Sequence, residues 1–180
     1  MTEEKKKKQK PRLKSKEDRA AHDLYETPKW CVDSILKIIP IRNDWSYMEP
    51  CRASGRFYNH MPIGSAWGEI RHGIDYLKTE YNIRVDCILT NPPFLLAQEF
   101  VEKAHKDADV VIMLLRLGFL ESQRREEFWK QYPLNHLITL SRRPSFTEDG
   151  KTDGAGYGYF VWDPKGKLKD LKLPPFMWIS

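Results

Sequence analysis

The residues Asp86 to Phe94 read DCILTNPPF. Val85 to Leu89 are apolar apart from Asp86, and a short apolar run bounded by turn residues reads as a buried strand of a parallel sheet. Pro92 and Pro93 remove two backbone donors and fix two φ angles, so the strand stops at Asn91. A rigid turn at the carboxyl end of a strand lies where open α/β sheets place their ligands. The Asn91 side-chain oxygen and the Pro92 carbonyl are both acceptors. Held side by side they suit a group with two N–H bonds, such as an exocyclic amine, with the flat face of Phe94 beside it. The structural alternative is a strand stop, an Asn-Pro turn and a core Phe. The position between a predicted strand and a predicted helix favours the chemical reading.

Three further stretches carry chemistry. Glu49-Pro50-Cys51-Arg52-Ala53-Ser54-Gly55 follows the short strand candidate Trp45 to Met48. Such a stretch fits a tight turn that lets a ligand approach the backbone closely. Ser65 to Ile70 reads as the next strand and contains Glu69 near its end. Gly73-Ile74-Asp75-Tyr76 follows it. Taken singly, each acid reads equally as a solvated loop carboxylate.

NPPF after an apolar strand resembles the catalytic motif of the amino-methyltransferases, S-adenosylmethionine enzymes that methylate exocyclic nitrogens. Among them the chain is most similar to the small adenine-N6 DNA methyltransferases of phages and prophages, over Tyr25 to about Asp163. The resemblance implies a catalytic Asn91, Pro92, Pro93 and Phe94, and S-adenosylmethionine as cofactor. It implies that Thr27 and Pro28 lie against the methionine carboxylate. Glu49, Pro50, Cys51, Ala53 and Gly55 would form the E-P-x-x-G-x-G cofactor loop, with Ala53 where the family usually has Gly. Glu69 would bind the ribose hydroxyls and Asp75 the adenine amino group, with Tyr76 packing nearby and Asn91 also at the cofactor. Phe146 would face the other side of the target base, with Arg143 near the substrate. The same turn serves methyltransferases acting on RNA adenine or protein glutamine. A silent, methyltransferase-like nucleic-acid-binding subunit and a doubly wound domain for another nucleotide are further readings.

The elements that must position these groups follow from pattern. Tyr25-Glu26-Thr27-Pro28 opens an amphipathic helix ending at Pro40, with Thr27 as N-cap, Pro28 at the first helical position, and Val32, Ile35, Leu36 and Ile39 on its apolar face. Leu95 to Lys106 reads as a helix, Asp109 to Leu115 as a buried strand, Glu121 to Gln131 as a charged helix anchored by Phe128. His136 to Ser141 and Tyr157 to Trp162 read as strands, and Thr147 to Gly158 as a mobile loop between them. Phe176, Met177 and Trp178 are expected to dock onto the core. The gaps from Gly55 to Pro62 and from Glu69 to Asp75 are too short for an ordinary helix of about eleven residues. The expected fold is α/β: a trimmed, doubly wound, Rossmann-like methyltransferase fold with a mostly parallel sheet, a short first helix and no second one.

Composition bounds the partners. The chain of 180 residues favours one domain, residues 21–180, with no separate target-recognition domain. Residues 1–20 carry nine basic and four acidic side chains, which accounts for the whole net charge of +5. They read as a disordered basic arm, suited to DNA, with RNA as the alternative. Cys31, Cys51 and Cys87 form no CxxC and the five histidines no HxxxH, so no metal and no structural disulfide is expected. No apolar run approaches the roughly 18 residues that span a membrane, and a signal-peptide core is lacking, so a cytoplasmic protein is expected.

Overall fold

The computed structural model describes residues 26–146, 152 and 154–180. The predicted basic arm, Tyr25, and half of the predicted loop after Phe146 lie outside the described residues. Seven strands form one sheet: β1 (Tyr47–Glu49), β2 (Ala66–Trp67), β3 (Val85–Thr90), β4 (Ala108–Arg116), β5 (His136–Leu140), β6 (Tyr157–Trp162) and β7 (Phe176–Ile179). Their order is β2-β1-β3-β4-β6-β5-β7. Strand β6 is antiparallel to both neighbours and every other pairing is parallel.

Strand β4 shows why the sheet is buried on both faces. Its side chains alternate, so Val110, Ile112 and Leu114 join one core while Val111, Met113 and Leu115 join the other. The first core is closed by helix α1 (Lys29–Ile38), through Cys31, Val32 and Ile35. The second is closed by helix α2 (Ala97–Asp107) and the short helix α3 (Glu126–Gln131), through Phe100, Val101, Ala104 and Phe128. Trp129, Phe160 and Trp162 stack within this second core.

Several boundaries differ from the expectation. Pro28 is itself the N-cap of α1 (φ −58°, ψ 141°), and the Thr27 hydroxyl makes no cap bond. Its extended ψ keeps Pro28 out of the helix, and Thr27 Oγ1 accepts a hydrogen bond from Asn91 Nδ2 instead. The strand expected at Ser65–Ile70 shrinks to two residues. Gly68 N–H donates to the Glu49 carbonyl and Arg52 N–H to that of Gly68, so the backbone beyond Trp67 is tied to the loop after β1. The helix expected at Glu121–Gln131 begins only after Ser122 (φ 108°), as a 3₁₀ turn (Gln123–Arg125) that leads directly into α3. Between β1 and β2 the only helical structure is a 3₁₀ turn (Tyr58–His60), and between β2 and β3 another (Ile70–His72).

The C-terminal aromatics dock through the backbone. Strand β7 pairs in parallel with β5, Ile179 is buried, and Phe176 and Trp178 point outward. At the amino ends of the strands, Asp109 accepts ion pairs from Arg84 (2.7 Å), Lys165 (2.7 Å) and Lys167 (3.3 Å), and Lys167 also pairs with Asp86. No helix among the described residues is long and apolar enough to cross a membrane.

Candidate active site

From β1 the chain runs outward to β2, then returns to lay β3 on the other side of β1. The loops leaving β1 and β3 therefore diverge, and such a switch point opens a crevice at the carboxyl ends of the strands. A cavity of about 350 Å³ lies there. Its wall includes Thr27, Glu49, Pro50, Cys51, Ala53, Glu69, Asp75, Tyr76, Asn91, Pro92 and Pro93, which the sequence pointed to, together with Arg52, Arg71 and Phe100, which it did not. Pro28, Gly55, Phe94, Arg143 and Phe146 are not in that wall.

Two carboxyl groups in the wall are driven apart in acidity. Glu49, at the end of β1, is buried, and burial pushes its pKa up to about 9 although the Tyr58 N–H donates to Oε2 (2.6 Å) and Arg52 is near. A carboxyl held neutral keeps an O–H to donate. Glu69 is also buried, but its pKa is lowered: burial opposes ionisation, and donors overcome it. Arg71 donates from its backbone N (3.1 Å) and Nε (2.9 Å) to Oε1, and Ala53 N donates to Oε2 (2.7 Å). Glu69 thus remains an ionised acceptor and also anchors the loop after β1.

That loop holds the strain. Gly55 adopts φ 82° without difficulty, but Ala53 adopts φ 44°, in the left-handed region where a side chain costs energy. Gly68 answers a different need: a Cβ there would sit 2.7 Å from the Pro50 carbonyl oxygen. Glycine is what lets the exits of β1 and β2 pack together, and its place beside the acid of the W-G-E sequence was the available signal. Arg52 extends over the rings of Tyr58 (4.5 Å) and Trp67 (4.9 Å), stacking the loop against β2.

On the far wall, Asp75 accepts from the Leu77 N–H and pairs with Lys78 (3.0 Å). Tyr76 is buried against Phe100 and donates its hydroxyl to Asp107 (2.8 Å), which raises its pKa beyond what burial alone does. Asn91 completes the site. Its Nδ2 donates to Thr27 Oγ1 (3.1 Å), which sets the amide plane and leaves Oδ1, fully buried, as its acceptor end. Phe94 begins a 3₁₀ turn leading into α2 and packs with Phe146 (5.9 Å) and Tyr157 (5.4 Å) beside the cavity. Phe146 is buried and Arg143 exposed. No group of three or more metal-ligating side chains occurs among the described residues.

No family profile and no curated protein sequence matches the chain. Solved structures do. A protein assigned as the modification subunit of a type I restriction enzyme from Vibrio vulnificus YJ016 superposes with TM-score 0.56 at 20% identity, over 77% of this chain and 44% of that one. A protein assigned as a class I S-adenosylmethionine-dependent methyltransferase from Listeria monocytogenes gives 0.58 at 10%, over 78% and 61%. One assigned as an RNA methyltransferase from Pyrococcus horikoshii gives 0.53 at 16%, over 81% and 83%. The fold is that of the class I methyltransferases. The chain spans 44% and 61% of the length of the first two of these proteins.

Proposed function

We propose that this protein transfers a methyl group from S-adenosylmethionine to the exocyclic N6 of adenine in DNA. The observation that carries the reading is Asn91 at the carboxyl end of β3, in the cavity wall, with its amide oriented by Thr27. The cavity suits the cofactor. Glu69, ionised, offers acceptors to ribose hydroxyls, Glu49, neutral, can donate, and Asp75 offers an acceptor to an amino group. Bound there, the cofactor supplies an activated methyl group.

The residues of this chain do the rest by orientation. An adenine N6 is a poor nucleophile because its lone pair is conjugated into the ring. Asn91 Oδ1 and the Pro92 carbonyl accept its two N–H bonds, draw the nitrogen toward tetrahedral geometry and oppose the positive charge that develops on it. The two prolines keep this pair of acceptors rigid. A duplex base reaches the site only when flipped out, at about a few kcal/mol, offset by stacking on Phe94. The basic residues 1–20 add sequence-blind attraction to phosphate. RNA is the second substrate class, suggested by the likeness to the Pyrococcus protein assigned as an RNA methyltransferase, which this chain covers over most of its length.

The test incubates the protein with labelled S-adenosylmethionine and, separately, unmethylated DNA, RNA and cell-extract protein, and identifies the modified residue. N6-methyladenine in DNA is expected. Label in RNA or glutamine alone would reassign the substrate, and failure to bind the cofactor in a calorimetric titration would leave a silent subunit. The Asn91→Ala variant is expected to lose at least about 10²-fold in turnover while still binding cofactor, and near-normal turnover would overturn the mechanism.

A further inference from the structure

Resting on the nucleic-acid reading above, we infer that Arg116 is a substrate-binding residue: it stacks on Phe94 in the free protein and moves to a phosphate flanking the target base when that base takes its place. Arg116 is the last residue of β4, in register with Tyr157 at the start of β6. Its Nε donates to the Tyr157 hydroxyl (3.1 Å), and its guanidinium carbon lies 4.9 Å from the centroid of the Phe94 ring. Phe94 is therefore met by a flat cation.

Phe146 and Tyr157 do not form a slot with it. A base held between two rings needs them nearly parallel and about 7 Å apart, two contacts of about 3.5 Å each. Phe146 stands 5.9 Å from Phe94 at 65°, and Tyr157 stands 5.4 Å away at 53°. These two rings also pack on each other (5.0 Å, 62°), with Phe146 7% and Tyr157 1% exposed. They are a fixed backing for Phe94. The group that covers the Phe94 ring is the long, half-buried side chain of Arg116.

The exchange gives up the contact of Arg116 with the Phe94 ring and its bond to the Tyr157 hydroxyl for a stacked base and a charge-assisted pair with phosphate. A cation over one ring at a half-exposed position is a weaker contact than a base stacked on that ring. A planar guanidinium released from it retains its charge and its fork of donors, which match a phosphate. Its tether at the end of β4 keeps it beside Phe94, on the ring where the flipped base would stack. Positioning by phosphate contact is how protein–nucleic acid interfaces fix register.

The test uses the full chain and a fluorescein-labelled, adenine-containing DNA oligonucleotide, with binding read by anisotropy across a salt series. Arg116→Gln keeps length and planarity without charge, and Arg116→Lys keeps charge without planarity. Arg116→Gln is expected to weaken binding about tenfold and to lower the slope of log affinity against log salt by about one, while cofactor affinity stays at the wild-type value. Arg116→Lys is expected to recover the slope. Wild-type affinity and slope in Arg116→Gln, or equal losses in both variants, would overturn the proposal. Because the readout is binding, it stands apart from the methyl-transfer assay: absence of transfer by the wild type would refute the enzymatic reading, and an unchanged salt slope would refute this one.

Discussion

The two sides of the sheet are built on different principles. Around β3, β4 and β6, strands of six to nine residues are covered by α2 and α3, and a cluster of Phe128, Trp129, Phe160 and Trp162 fills the space between. Around β1 and β2, strands of three and two residues are joined by single 3₁₀ turns. There the chain is held by carboxyl groups bonded to backbone N–H groups, Glu49 to Tyr58 and Glu69 to Ala53 and Arg71. Packing is indifferent to proton concentration, whereas bonds to carboxyl groups are not. The side that lines the cavity is therefore the side whose loops are tied down by carboxyl groups, and there the same acids hold the loop and face the ligand.

The largest expected effect separates the two sides along the pH axis. Glu49 has its pKa raised by burial from the usual 4.5 to about 9. The folded protein then binds a proton that the unfolded chain releases, so this contribution is full below pH 4.5 and is lost as pH rises toward 9. On the other side, His105 stacks on Tyr132 (4.6 Å, 6°), and burial first, Arg84 second, lower its pKa from 6.5 to about 4. There the unfolded chain binds the extra proton, so stability is full above pH 6.5 and falls toward pH 4. Each pH unit within either window moves stability by up to about 1.4 kcal/mol. Thermal melts from pH 4 to 9 are expected to lose their alkaline fall in Glu49→Gln and to soften their acid fall in His105→Phe. Unchanged limbs would break the contrast.

A smaller effect sharpens it. Glu69→Ala removes the acceptor for two backbone N–H groups, and urea unfolding is expected to show a loss of about 2 kcal/mol. The Arg71 pair adds little to this, because the Arg71 side chain is half exposed. The smallest effect has the opposite sign. Ala53→Gly relieves a left-handed residue worth about 1–2 kcal/mol and gives back about 0.5–1 kcal/mol in backbone entropy. A net gain of up to about 1 kcal/mol in the same unfolding experiment would show that the loop after β1 stores strain.

The legible parts of the sequence were those fixed by local pattern. Strands β3 and β4 read from apolar runs because both of their faces are buried, β6 read from its alternating aromatics, and most of the cavity wall read from turn residues after β1, β2 and β3. What escaped depends on partners distant in sequence. Gly68 is required by the Pro50 carbonyl, and Arg116 meets Phe94 only through the register of β4 with β3 and β6. Pro28 reads equally as a first helical residue or as a cap, and the Thr27 bond to Asn91 lies across 64 residues of chain. In the C-terminal segment the alternation of β7 turns Met177 and Ile179 inward and leaves Phe176 and Trp178 exposed, although all four are apolar. Hydrophobicity alone could not assign their sides.

The placement of β6 between β4 and β5 also constrains how the protein is made. On the ribosome β5 emerges before β6, yet among the described residues its neighbours in the sheet are β6 and β7 alone. A nascent chain that has not yet reached Tyr157 thus carries β5 with no strand to pair with, and the long apolar β4 with one open edge. Open edges of that kind invite pairing with other chains. Insertion of β6 closes the β4 edge and recruits β5 in one step, and Lys167 then bridges Asp86 and Asp109 across the finished strands. The half of the sheet with the longer, largely buried strands is thereby the half that the growing chain must leave unfinished longest.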